Sequence, residues 1–373
     1  MFGIRRRRTR AIQEIIIHAG MHKTGTTSIQ ETLFAHADQL KQRDLLYPTC
    51  WPSNHSIPIF SLFKRDPSYF ENIVEERSRQ EIEHTRQHFM RVLQQEIATS
   101  TPTRLVLSGE NISLLTYREL RSFRLFLQNI TGYRVPIRVI VCVRHPVPWL
   151  ISATQQRLKS GQHLQTILDV KMRAIIPQLF QQRIGNLMRV FGKKALTVYS
   201  FDDAVQSVYG PVGYFLQQLG YAEEDILSFD IKKANESMSF MAARFIAFIN
   251  EKCPIILCNR KNELRTRQDI DPLLAIRGPK FDIAYTYKKD FLQLAQADLA
   301  WLKAKFNISF TYELSEPTED NISFPDSTTI KDIKAAYDRL PIVLQQLVIE
   351  CWDDHFPEAP LVDVLHLAVT DYR

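Results

Sequence analysis

Residues 15–30 read Ile-Ile-Ile-His-Ala-Gly-Met-His-Lys-Thr-Gly-Thr-Thr-Ser-Ile-Gln (IIIHAGMHKTGTTSIQ). The segment from Glu14 to Ala19 is an isoleucine-rich, buried-strand pattern. Gly20 and Gly25 then bracket a turn, and a helical pattern follows through Leu33 and Leu40. A strand, a loop and a helix in that order leave the free N–H groups of the first helical turn, and the positive end of its dipole, at the loop. Those groups favour an anion. Gly25 lets the backbone approach the anion's oxygens, Lys23 supplies a point charge, and the hydroxyls of Thr24, Thr26, Thr27 and Ser28 add donors. A phosphate or sulfate site is expected here.

Working outward, Arg104 to Leu107, Ile137 to Val143 (IRVIVCV) and Ala195 to Tyr199 (ALTVY) are further strand patterns, each separated from the next by helical ones. Ile82, Phe89, Val92, Leu93 and Ile97 mark one helix face. Phe180, Ile184, Leu187, Met188 and Phe191 mark a second, and Val208, Val212, Phe215, Leu216 and Leu219 a third. This alternation predicts an α/β fold with a three-layer, P-loop-like core, a parallel sheet flanked by helices. Pro, Asp, Ser and Thr interrupt the pattern between Ser315 and Ser327. The expected organisation is a basic tail over 1–13, an α/β domain over 14–315 and a helical C-terminal extension over 316–373.

The chain has 373 residues, of which 45% are hydrophobic, enough for a sizeable core. Its net charge of +6 suits an anionic ligand but is too mild to indicate nucleic acid. Part of that charge is the run Arg5 to Arg8, read as a solvated tail. Five cysteines (Cys50, Cys142, Cys253, Cys258 and Cys351) have no metal-ligand spacing and are read as reduced thiols; no metal is expected. His84 and His88 lie four apart on a helix with nothing to complete a site, so a solvated face is expected. No apolar run reaches the ~18 residues of a membrane span, and the basic start leads into a strand rather than a signal peptide. The expectation is a cytoplasmic protein with no transmembrane segment.

An NTPase loop of the form G-x-x-x-x-G-K-[ST] places lysine directly after the second glycine, whereas here Thr26 follows Gly25 and the lysine stands before it at position 23. Lys23-Thr24-Gly25-Thr26-Thr27 resembles the 5′-phosphosulfate loop of the sulfotransferases that use 3′-phosphoadenosine-5′-phosphosulfate (PAPS). A second likeness follows the strand IRVIVCV, which ends at Arg144-His145-Pro146 and leads into a helix carrying Ser152. In that family an arginine and a serine so placed clamp the 3′-phosphate, and the arginine's planar fork suits phosphate oxygens. The third is Leu105 to Leu115 (LVLSGENISLL), whose strand end presents Glu110 at the sheet edge where ligands of open α/β sheets bind.

The resemblance implies PAPS as co-substrate, adenosine 3′,5′-bisphosphate as product and no metal. Glu110 is the candidate base, since it falls on the base histidine of cytosolic sulfotransferases, and His55 is the alternative. Phe201, in the segment Tyr199 to Asp203, is placed near the adenine. The glycine-rich clamp of the cytosolic enzymes has no clear counterpart; Arg277-Gly278 or Asn235-Glu236-Ser237 would have to serve. This departure points to a distant, bacterial-type branch. In-line transfer is implied, with Lys23 meeting charge on the bridging oxygen. The acceptor, a small molecule or glycan with a hydroxyl or amine, is not fixed by the sequence, and neither is the oligomeric state. A P-loop kinase or NTPase, and a non-catalytic nucleotide-binding protein, remain as alternatives.

Overall fold

The computed structural model describes residues 11–66, 77–231, 237–257, 260–314 and 324–366. Arg5 to Arg8, Cys258 and the pair Asn235-Glu236 lie outside these residues. Five strands, β1 (Glu14–His18), β2 (Leu45–Leu46), β3 (Arg104–Ser108), β4 (Ile137–Val143) and β5 (Leu196–Ser200), form one sheet in the order β2-β3-β1-β4-β5. Every pairing is parallel, with Ile15 of β1 opposite Leu105 of β3 and Ile137 of β4. Parallel sheets are covered on both faces, which is why β1, β3 and β4 read as continuous apolar runs rather than alternating ones. The fold is therefore α/β, a five-stranded all-parallel sheet between helices.

On one face the helices Thr26–Ala35 and Gly210–Gln218 pack Ile29, Leu33, Phe215 and Leu216 against Ile16, Val106 and Ile140, all fully buried. Each such side chain contributes about 1.5–3 kcal/mol relative to exposure. The other face carries the helices Tyr117–Thr131 and Gln181–Phe191, which bury Phe123, Leu127, Ile184 and Leu187. The first of these starts with a capping box: Thr116 Oγ1 accepts from the Glu119 N–H, and the Glu119 carboxylate accepts from the Thr116 N–H at 2.8 Å. His84 and His88 are exposed on the helix Arg79–Thr99.

The chain divides into two compact units. The first, Met1–His145, Gln178–Ala234 and Ala297–Thr311, holds the sheet. The second, Pro146–Pro177, Asn235–Gln296 and Tyr312–Arg373, is mainly helical. The expected boundary at residue 316 falls among residues 315–323, outside the described ones. The C-terminal helix Ile342–Asp353 has an apolar stripe of Leu344, Val348 and Cys351 that needs a partner, and the helix Phe240–Lys252 provides it. Cys351 Sγ faces the Arg244 carbonyl there. Which face meets which is not written in a local pattern, so residues from mid-chain join the C-terminal helices in one body. Within it Arg265, 1% exposed, donates to the Cys253 and Ile249 carbonyls and to Asn250 Oδ1, tying the helix end to the following loop. A cavity of about 420 Å³ in this unit is lined by Phe240, Arg244, Ala247, Phe281 and Tyr287.

Candidate functional site

The loop after β1 lies in the middle of the sheet, between β3 and β4. It leaves the strand still paired: the Ala19 N–H donates to the Ile140 carbonyl, the Met21 N–H to Cys142, and the Cys142 N–H returns to Gly20. Two tight turns follow. Lys23 has φ 64, in the left-handed region that residues with a Cβ seldom occupy, and Gly25, at φ 74, is the N-cap of Thr26–Ala35. No side chain caps this helix and no acid occupies its first turn. The N–H groups of Thr26 and Thr27 in the first turn therefore have no side-chain cap, and a favourable dipole lies behind them.

Among the hydroxyls the roles divide. Thr24 is buried and donates to the Met21 carbonyl at 2.6 Å, so its hydroxyl braces the loop and does not serve as the ligand donor expected of it. Thr26 is buried, Ser28 half-buried and Thr27 exposed.

Arg144 arrives from the end of β4 and donates from Nη1 to the Lys23 carbonyl at 3.1 Å. Its guanidinium carbon lies 5.1 Å from the centroid of the Phe201 ring, a cation–π contact. Phe201 opens the helix that follows β5, and a Cβ on Gly25 would come within 3.3 Å of its ring. The expected adenine partner thus already has the arginine against it. Burial pulls the Arg144 pKa down, Asp202 opposes this, and the group stays a cation. Lys23, Gly25, Arg144 and Phe201 lie together at this end of the sheet. Ser152 is half-buried on the helix Pro146–Lys159, in the second unit. Arg277, one of the two candidate clamps, is held bidentately by Asp332.

Glu110 stands at the start of a short 3₁₀ turn just past β3. Its approach to the loop depends on Gly20, at φ 76: a Cβ there would lie 2.8 Å from Glu110 Cβ and 2.9 Å from its Cα. Gln30 Nε2 and Asn54 Nδ2 each donate to one carboxylate oxygen at 3.0 Å. Burial alone would raise the Glu110 pKa, but His22 and these two amides outweigh it and hold the carboxyl below its ordinary value. Glu110 is ionised at neutral pH. It is the acceptor at the centre of a small amide cluster.

His55 is fully buried and both of its ring nitrogens are engaged. Nδ1 accepts from the Ser108 N–H at 3.1 Å and Nε2 donates to the Pro48 carbonyl at 3.2 Å, while the ring stacks on Tyr47. Burial pushes its pKa down to about 4. With no lone pair left for an acceptor proton, His55 fastens its loop to the end of β3 rather than supplying a base. His18, also buried, bonds Ser108 Oγ through Nδ1 at 2.8 Å.

Sequence reasoning passed over His22, Gln30, Asn111 and Arg183. His22 Nε2 lies 3.0 Å from Asn111 Oδ1. Glu110, Arg183 and Lys23 all act on it electrostatically. Gln30 had a signal: it is a polar residue, 1% exposed, beside the buried Ile29 of the first helix, a position an amide occupies only with a partner. The assembled site has cations at Lys23, Arg144 and Arg183, helix N–H donors, and one half-buried carboxylate beside an imidazole. It is chemically suited to an anion next to a group that must lose a proton.

No protein-family model and no curated protein matches the chain. Among solved structures it is similar to a sulfotransferase from Alicyclobacillus acidocaldarius, at 14% identity over 61% of this chain and 87% of that one, with a TM-score of 0.38. A likeness this distant carries no functional argument, and the fold class rests on the sheet itself.

Proposed function

We propose that the protein is a sulfotransferase that moves a sulfuryl group from PAPS to a hydroxyl or amine of a small-molecule or glycan acceptor. The observation that carries this reading is the loop: Lys23 ahead of Gly25, both in left-handed backbone, opening an uncapped helix N-terminus in the middle of a parallel sheet. The residues suit an anionic donor. The first-turn N–H groups and the Thr26, Thr27 and Ser28 side chains hold the 5′-phosphosulfate, and Arg144, braced on Phe201, meets the 3′-phosphate.

Lys23 neutralises charge that develops on the bridging oxygen as the S–O bond breaks. Glu110, ionised at the strand edge, supplies a negative charge beside the loop, which favours an acceptor losing its proton there. Lysine placement disfavours the kinase or NTPase alternative.

The test is turnover of ³⁵S-labelled PAPS against a panel of phenol, amino-sugar and glycan acceptors. Lys23→Ala should lower transfer by about 10³-fold or more, the scale of losing a main electrostatic stabiliser. Wild-type turnover in that variant would remove the loop from the mechanism.

A further inference from the structure

His22 sits one residue before Lys23, at the point where the loop turns into left-handed backbone, and its side chain is only partly buried. Its Nε2 faces Asn111 Oδ1, and an amide oxygen only accepts, so Nε2 carries the proton. In the neutral ring that leaves the lone pair on Nδ1. Three charges face the imidazole: Glu110 from the turn after β3, Lys23 from its own loop and Arg183 from the helix Gln181–Phe191.

Resting on the sulfotransferase reading above, we propose that His22 Nδ1 is the site that receives the acceptor's proton, with the Glu110 carboxylate stabilising the imidazolium that forms. The acceptor oxygen or nitrogen bonds to sulfur as its proton passes to Nδ1. The sulfur–oxygen bond to the 5′-phosphate breaks, and its electron pair leaves with adenosine 3′,5′-bisphosphate. Asn111 then fixes the tautomer by holding Nε2–H.

Burial and the two nearby cations lower the His22 pKa, against Glu110, so the ring is neutral and able to accept at pH 7. Glu110, held by two amide donors and itself below the ordinary carboxylate range, is a weaker proton acceptor at that pH.

The experiment combines two measurements on the full chain. Nitrogen-15 NMR of labelled histidine, assigned with His22→Gln, should show an Nε2–H tautomer with a pKa below 6.5 that falls further in Glu110→Gln. An Nδ1–H tautomer, or a pKa that does not move in Glu110→Gln, overturns the proposal. Release of bisphosphate from PAPS into water should fall about 10²-fold or more in His22→Gln, with loss of the acidic limb of the wild-type pH profile. Binding of adenosine 3′,5′-bisphosphate should stay within about twofold, which shows the variant folded. Unchanged release and an unchanged acidic limb in His22→Gln overturn this assignment alone; failure of the wild type to bind the bisphosphate overturns the sulfotransferase reading and this assignment with it.

Discussion

Lys23 holds its charge on a backbone that a β-carbon makes costly, about 1–2 kcal/mol for a residue at φ 64. Lys23→Gly should therefore raise thermal stability by that order while abolishing bisphosphate binding. Melting curves read beside a binding isotherm check the pair, and a stability loss would deny the strain. The reverse holds at Gly20, where a Cβ would meet the Glu110 backbone. Gly20→Ala should cost about 2 kcal/mol or more and displace the carboxylate, visible as a lower melting temperature together with lost turnover. An unchanged melting temperature would mean that the close approach is not rigid. The loop residues were legible in the sequence because their chemistry is local, a glycine, a lysine and hydroxyls between a strand and a helix. The partners of Glu110 were not: Asn54 and Gln30 come from 56 and 80 positions away, and only the folded chain sets them beside it. His55 stood as the alternative base for the same reason, since the Ser108 amide that occupies its ring lies on a distant strand.

At the level of elements, four strands stood out as apolar runs, and the structure places them within one residue of the sequence reading. β2, two residues long, is too short to give a pattern and exists because β3 needs a neighbour. The helix Thr26–Ala35 begins without an acid or a side-chain cap, which leaves its dipole unspent for an anion. Thr27→Asp should stabilise that helix by about 0.3–1 kcal/mol yet weaken bisphosphate binding about tenfold or more, because the new carboxylate competes for the same N–H groups. Melting temperature and calorimetric affinity should move in opposite directions; a rise in both would show that the ligand sits elsewhere. At Tyr117–Thr131, Thr116→Ala should cost about 1 kcal/mol through loss of the cap.

For the whole molecule, His18 and His55 are buried neutral, with pKa pushed down to about 4 from 6.5. Below pH 6.5 the unfolded chain binds protons that the folded chain refuses. Their contribution is complete above that value and is lost progressively as the pH falls toward 4. Each should remove on the order of 1–2 kcal/mol by pH 5; a melting temperature constant between pH 7 and pH 5 would contradict their burial. The division into two units was the least legible feature, because stripes such as Leu344, Val348 and Cys351 announce that a helix is buried without naming its partner. Among the described residues no helix is long and apolar enough to cross a membrane, in line with the hydropathy of the chain.

The central claim is that the loop and Arg144 together form a site for a 3′-phosphorylated nucleotide. Calorimetric titration with adenosine 3′,5′-bisphosphate, 5′-AMP and ATP–Mg²⁺, on wild type and Arg144→Ala, tests it directly. The account predicts that wild type prefers the bisphosphate by about tenfold or more and that Arg144→Ala erases the preference. Equal affinity for all three, or a preference that survives the substitution, would contradict it.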